Sequence, residues 1–451
     1  MNKSSDMTKG SPTGLLISFS IPVLFGLIFQ QIYTAADTAI VSKTLGTDAL
    51  AAVGCLNSVN FLILGFITGM GSGLSIPISQ AFGARDDVRL KKLTGNMIWI
   101  AAALSAVFTA ASVILCRTIL NVTNTPENIY DMAYIYMVTM FWGIPVRCAY
   151  NALAGLMRAI GDSRTPLFIL VLCSVLNVIL DLLFITVFNM GIFGAAFATV
   201  ISEAVSVAGC FLIIAKKHAV LHIGKSDLKP ERECMSLLMK NGLPMGLQVS
   251  ICGIGSIILQ SSINTLGSSS VAAITASERI CNILQSVTSS LGTSMSVYCG
   301  QNLGAGNISR VRRGVKSGTI IGLSFSLIAL GVIALFGRNL ITIFVDTAEA
   351  ELIELTFRCL IITGCFLWGQ GIIATVRFSI QGLGFSNIAL IAAILEMIAR
   401  GGIGLFIVPK FGFTGACFSN PIAWVFADFV IIPAYFILIK KLQQTNTRNE
   451  A

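Results

Sequence analysis

Long apolar runs alternate with short polar segments along almost the whole chain. A helix needs about 20 apolar residues to cross a bilayer. Reading for such runs gives twelve: 14–35, 49–76, 94–116, 131–155, 166–188, 192–215, 236–264, 271–298, 316–337, 352–376, 387–408 and 414–439. The separators are short and polar, as in Gly83-Ala84-Arg85-Asp86-Asp87. The longest connection runs from Lys216 to about Met235, and no segment has the polarity and length of a soluble domain. The pattern predicts an all-α polytopic membrane protein with twelve transmembrane helices.

The chain also repeats itself. Ile21-Pro22 corresponds to Leu243-Pro244. LGTDALAAV at 45–53 corresponds to LGSSSVAAI at 266–274, QAFGA at 80–84 to QNLGA at 301–305, and GIFGAA at 191–196 to GFTGAC at 412–417. The last three pairs share one offset, and the proline pair differs from it by a single position. A near-constant offset over four separated motifs is the mark of a duplication. Each copy holds six spans, and an even number returns the chain to its starting side. The repeats therefore share one orientation and are expected to be related by a pseudo-two-fold axis along the membrane normal, with a transport path between them. The expected organisation is a six-helix N-terminal lobe at 1–215, a cytoplasmic linker at 216–235 and a six-helix C-terminal lobe at 236–451.

Composition supports the membrane reading. Charged residues are 11% of the 451 and hydrophobic residues 55%, with a mean hydropathy of +0.84. A soluble protein carries roughly 25% charged residues. The net charge of +9 would suit a nucleic-acid partner, but its placement says otherwise. Twenty-one of the 30 lysines and arginines fall in the loops on the side of the N-terminus, the linker and the C-terminus, and four fall on the other side. By the positive-inside rule both termini are cytoplasmic, and no nucleic acid is needed to explain the charge. The polar stretch before Gly14 leads into a run long enough to span, with no early cleavage site, so a retained first helix is expected. The 12 cysteines form no CxxC pair and read as small buried hydrophobes.

These features resemble the multidrug and toxic compound extrusion (MATE) family of transporters. The residues that carry the resemblance are Ile21-Pro22, Asp37-Thr38 before Leu45-Gly46, the QAFGA/QNLGA pair, Gly155-Leu156-Met157-Arg158-Ala159-Ile160-Gly161-Asp162, and GIFGAA. The resemblance covers about Leu15 to Lys441. It implies an inner-membrane antiporter that expels organic, often cationic, compounds against Na+ or H+ entry, with two six-helix lobes around a cavity. The expected partners are those small molecules, the coupling ion and the lipid bilayer. No cofactor is expected beyond a bound Na+; the chain is expected to be a monomer, and not an enzyme.

Acids inside spans are expensive and usually mark a pathway, a proton site or an ion pair. Six stand out: Asp37, Asp181, Glu203, Glu278, Glu396 and Asp428. Asp181 lies in LCSVLNVILDLLFI among leucines, with Asn177 four residues earlier on the same helix face. A carboxylate at that depth must be neutral, paired or coordinating a cation. Asp37, just past the apolar part of the first span, is either a helix-end carboxylate facing water or a cation ligand. Thr199 offers a hydroxyl oxygen near mid-span, though a helical threonine more often bonds its own backbone. The resemblance implies a cation site at Asp37, Asn177, Asp181 and Thr199, which match the N-lobe site of archaeal and DinF-like members. The duplication partners of Asp181 and Asp37 are Gly402 and about Ile258, so coupling is expected to be asymmetric. NorM-like members carry acids in spans seven and ten. Span seven here has none, and span ten has only Glu351 and Glu354 at its entrance.

Glu396 and Arg400, four apart, read as a structural pair. Glu203 and Asp428 have Arg147 and Arg377 as candidate partners, and the sequence does not choose. Glu278, beside Arg279, is either interfacial or an attractor for cationic substrates. Gln31, Tyr136, Asn151 and Gln248 are candidate cavity residues or helix–helix contacts. Pro22 and Pro244 either sit in a first helical turn or help the first helix of each repeat bend. No GxxxxGK[ST] phosphate loop exists, so direct ATP drive is not expected. The alternatives are a lipid-linked oligosaccharide flippase of the same superfamily, suggested by Arg147, Arg377 and Arg400, and a membrane-embedded enzyme, which the absence of histidine from every span disfavours.

Overall fold

The computed structural model describes residues 6–55, 57–344 and 349–450, and the side chains of all of these except 57–61 and 445–450. Every regular element among them is helical. The first repeat comprises α1 (Pro12–Leu45), α2 (Thr47–Gly54), α3 (Asn57–Gly83), α4 (Asp87–Val122), α5 (Glu127–Trp142), α6 (Ile144–Ala159), α7 (Arg164–Leu182) and α8 (Gly191–Lys217). The second comprises α9 (Arg232–Asn264), α10 (Ser268–Gly304), α11 (Ile308–Ile341), α12 (Ala350–Cys365), α13 (Leu367–Ile372), α14 (Phe378–Gly382), α15 (Ser386–Gly402), α16 (Val408–Cys417) and α17 (Ser419–Glu450). Single π-helical turns continue α7 (Leu183–Val187), join α13 to α14 (Ile373–Arg377) and join α15 to α16 (Ile403–Ile407).

The twelve spans are present, but not all of them are apolar throughout. Among the described residues nine helices are long and apolar enough to cross a membrane. The pair Ala350–Cys365 and Leu367–Gly382, bent by 49°, makes a tenth. The other two are α5–α6, broken at Gly143, and α10. Along α10, hydroxyls such as those of Ser286 and Ser290 bond backbone carbonyls of their own helix, and much of the helix is buried. A helix packed against protein needs no apolar coat on every side. Elsewhere the coat is plain: Ile114, Leu335 and Phe429 are 77%, 78% and 74% exposed, a surface that suits lipid. The run read as one span at 49–76 is divided instead: 47–54 form the separate short helix α2.

The duplication is written into the backbone. Left-handed φ values recur at Gly46 and Gly267 (87° and 89°), Arg85 and Gly306 (56° and 73°), and Gly191 and Gly412 (59° and 56°). Each pair is separated by the same interval as the repeated motifs. The π turns at 183–187 and 403–407 fall within one residue of matching places.

Contacts group the described residues into two units. One holds Asp6 and 25–246, the other 7–24 and 247–450. The boundaries lie inside α1 and α9, after Leu24 and Gly246, each two residues past the paired prolines. This differs from the lobe limits drawn on the sequence, because each repeat's first helix changes units just beyond its proline. Pro22 and Pro244 lie well inside helices that begin at Pro12 and Arg232, so neither sits in a first turn.

The 216–235 segment belongs to the first unit and packs on α4. Trp99 Nε1 donates to Leu228 O (2.7 Å), Asn96 Nδ2 to Lys229 O (3.3 Å), and Lys92 Nζ meets Glu231 Oε1 at 2.8 Å. Gly95 makes the approach possible, since a Cβ there would lie 2.1 Å from Asp227 O. Gly95→Ala is expected to push the segment off α4 and destabilise by about 1–3 kcal/mol. A lower melting temperature and faster proteolysis within 222–231 would show it, and unchanged cleavage would refute it.

Asp162, in the loop before α7, accepts from Thr165 N and Arg164 N and meets His218 Nε2 at 3.1 Å. Burial alone would push its carboxyl up, but the bonds from His218 and Thr165 outweigh that and hold it at about 2. An acid so depressed contributes stability above its ordinary value of about 3.9, and that contribution is lost as pH falls through about 2. Asp162→Ala should cost about 1 kcal/mol at neutral pH. The gap in melting temperature from wild type should close as pH drops below about 4. A gap that persists at low pH would contradict the assignment.

Candidate functional site

In the first unit, α6 lies against α3, α4 and α8, and α8 packs on α5 and α7. This brings the polar residues of four spans together. Asn177 and Asp181 share one face of α7, and the π turn begins two residues later. Such turns insert an extra residue into the helix and are frequent at functional sites. α8 contributes Thr199, whose Oγ1 receives Asn177 Nδ2 (3.4 Å) and donates to Ala195 O (3.2 Å). Asp181, Asn177 and Thr199 are 0%, 1% and 2% exposed.

The 25–45 part of α1 runs beside α7, with Gly26 facing Leu170. It carries Tyr33 and Asp37 one turn apart. Asp37 is half-buried. Its carboxyl lies beside that of Asp181, close enough for one to donate to the other once either carries a proton. As carboxylates neither has a proton to give. Both oxygens of Asp181, Oδ1 of Asp37 and Oδ1 of Asn177 are then buried acceptors with no donor. Burying such charge without compensation is very costly, so this set of oxygens calls for a proton or a hard cation.

Two tyrosines complete the cluster. Tyr33 reaches Thr199 and lies in the field of Asp37, Glu203 and Arg147. Tyr136, on α5, lies near Asp37 and Tyr33 and is 5% exposed. The sequence reading missed Tyr33. Its signal was the four-residue spacing from Asp37, which places both on one helix face. Arg147, on α6, is held by Glu203 on α8, with Nε 2.8 Å from Oε1. The nearby arginine is thus neutralised by its own acid, and the Asp37–Asp181 pair keeps its charge for another cation.

In the second unit Glu396 sits between two arginines. Arg377 Nη1 is 2.8 Å from Oε1, and Arg400 Nη2 is 3.4 Å from Oε2. The expected i, i+4 pair is present, with Arg377 as an added partner. Asp428 is buried with both oxygens lacking a donor and lies in the field of Glu396 and Arg377. Glu278 is half-buried near Arg400. Gln248 accepts from Gln381 Nε2 at 2.7 Å. Asn151 donates to Arg147 O within its own helix (3.0 Å), and Gln31 lies on an exposed face. Gly402 and Ile258 hold the positions equivalent to Asp181 and Asp37, so the acid pair occurs in one repeat only. Among the described residues no cluster of three or more His, Cys, Asp or Glu side chains is arranged to hold a metal.

Duplicated spans with a donorless acid pair inside one repeat point to the class: a polytopic membrane transporter. The family model MatE matches 22–183 and 244–402, each range beginning at one of the paired prolines, and the chain belongs to this family of multidrug efflux transporters. The probable multidrug resistance protein YpnP of Bacillus subtilis is 31% identical over 349 residues, covering 77% of this chain and 78% of its own length. YoeA of the same organism, also named a probable multidrug resistance protein, is 27% identical over 440 residues, 95% of this chain and 94% of its own. Among solved structures, an outward-facing multidrug resistance MATE family transporter of the MOP superfamily has a TM-score of 0.90 at 24% identity, covering 98% of this chain and 99% of that one. That likeness concerns the fold.

Proposed function

We propose that the chain is a secondary active antiporter of the plasma (inner) membrane that exports small organic, often cationic, compounds in exchange for H+ or Na+. Both termini face the cytoplasm, and the chain works as a monomer without a resident cofactor. Asp37, Asn177, Asp181 and Thr199 hold the coupling ion, and Tyr33 and Tyr136 supply hydroxyls around it. The observation that carries this reading is the group of buried donorless oxygens on α1 and α7.

A cation does work on a carrier only if it binds two conformations differently. Asp37 and Asp181 stand on different helices, so a proton or Na+ between them ties the 25–45 part of α1 to α7. Losing the ion leaves two adjacent negative charges that push α1 away. Pro22 lies in the same helix, where a missing backbone hydrogen bond makes bending cheap. The deciding experiment is ethidium efflux from vesicles, wild type against Asp181→Asn, under imposed H+ and Na+ gradients in turn. Wild-type export under one gradient names the ion. Export at equal rates by the variant would remove the site.

A further inference from the structure

The start of α11 presents a second cluster of charge, unrelated to the acid pair. Ser309, Arg312, Arg313 and Lys316 lie on the first turns of one face, followed by Thr319 and Ile320. They border a cavity of about 720 Å³ whose far wall is apolar, formed by Val376 of the tenth span and by Ile432, Tyr435 and Phe436 of α17. Arg312, Arg313 and Lys316 are exposed, and none of them joins an ion pair among the described residues. Arg310, by contrast, is spent on Asn302 and the Gly10 carbonyl. Ile320 and Phe436, 55% and 66% exposed, open the cavity onto the outer surface.

The duplication shows what such a face does when the chain covers it. Lys92, Gly95, Asn96 and Trp99 are the counterparts of Arg313, Lys316, Ser317 and Ile320. In the first unit the 227–231 segment lies over that face, and Glu231 supplies the anion for Lys92. The close approach depends on Gly95. The second repeat has Lys316 there, so a segment lying in the same way would meet a long cationic side chain. The counterpart of that segment at the repeat offset, 6–10, meets Arg310 instead and leaves Arg312, Arg313 and Lys316 exposed.

We propose that this pocket binds an anionic phospholipid, with its phosphate on Arg312, Arg313 and Lys316 and its acyl chains along Ile320, Val376, Ile432 and Phe436. The depths agree: at 1.5 Å per residue, Ile320 lies about 12 Å beyond Arg312 along the helix, from headgroup level toward chain level. The basic end is the cytoplasmic end of α11, where anionic lipid attracts clustered lysine and arginine.

Native mass spectrometry of the full chain in detergent, titrated with phosphatidylglycerol or with phosphatidylcholine of the same chains, tests this. Wild type should retain phosphatidylglycerol at least about tenfold better than phosphatidylcholine. Arg312→Ser/Arg313→Ser/Lys316→Ser should lose the preference, and the charge-matched Lys216→Ser/Lys217→Ser/Lys225→Ser should keep it. Lys316→Gly, which copies the first repeat, should weaken it and serves if the triple variant does not fold. Millimolar inorganic phosphate should leave the lipid in place. Equal retention by the pocket variants and wild type would overturn the proposal, and so would displacement by phosphate, which would make this a site for soluble anions.

Discussion

Asp181→Asn should bring gradient-driven ethidium efflux down by about 10- to 100-fold, the loss typical when an ion site is deprived of one anchoring group. The change is nearly isosteric and removes only the charge and the ability to take up a proton. As a carboxylate Asp181 has no donor on either oxygen, so the asparagine breaks no hydrogen bond of that form, and its amide can donate to Asp37 in place of a shared proton. The melting temperature in detergent should therefore stay level or rise, since a buried donorless charge opposes folding. Lost transport with retained stability separates a coupling role from a structural one. Asp37→Asn should act in the same direction. Its smaller burial leaves water as a partial substitute, so a milder loss is expected. If Asp181→Asn both transports poorly and melts early, the carboxylate is part of the scaffold, and the coupling ion must be sought elsewhere, with Asp428 the next group to test.

Glu396→Gln should have the largest effect on folding. The wild-type carboxylate faces Arg377 and Arg400 at once, and it is 4% exposed. The glutamine would leave two guanidinium groups facing each other without an intervening negative charge. Breaking a buried pair by removing one partner costs about 3–5 kcal/mol, mostly from the uncompensated charge left behind. Less monodisperse protein after extraction and a clearly lower melting temperature are expected. The double variant Glu396→Gln/Arg377→Gln should recover part of the loss because it removes one stranded cation. A single variant that extracts and melts like wild type would mean that Asp428 or water already carries the arginines.

Much of the organisation could be read along the chain. Hydrophobic run length, the constant offset between repeats and the lysine–arginine asymmetry are one-dimensional quantities, and the physics behind them, transfer into lipid and topology set by charge, acts segment by segment. The candidate ion site was partly legible for the same reason. A carboxylate flanked by leucines and spaced four residues from an asparagine is conspicuous without any fold. The breaks in the spans were less visible: α2 separates from α3 inside one apolar run, and α10 spans despite its serines because protein rather than lipid surrounds much of it.

Which residues face each other was decided only by the tertiary structure. Arg147 and Glu203 are 56 residues apart, and Arg377 and Glu396 are 19 apart. The sequence offered either arginine to either Glu203 or Asp428. The choice depends on the rotation of each helix about its axis, and a shift of one residue turns a side chain by about 100°. Tyr33 joined the candidate ion site, and Asp428 was left without a donor, for this reason. The cover of α4 by the 227–231 segment, and the cationic pocket at the start of α11, likewise depend on close approach between segments far apart in the chain. The amino-acid sequence by itself determined how many times the chain crosses the membrane and that it is double. Three-dimensional packing decided which charges are paired, and therefore which remain for an ion.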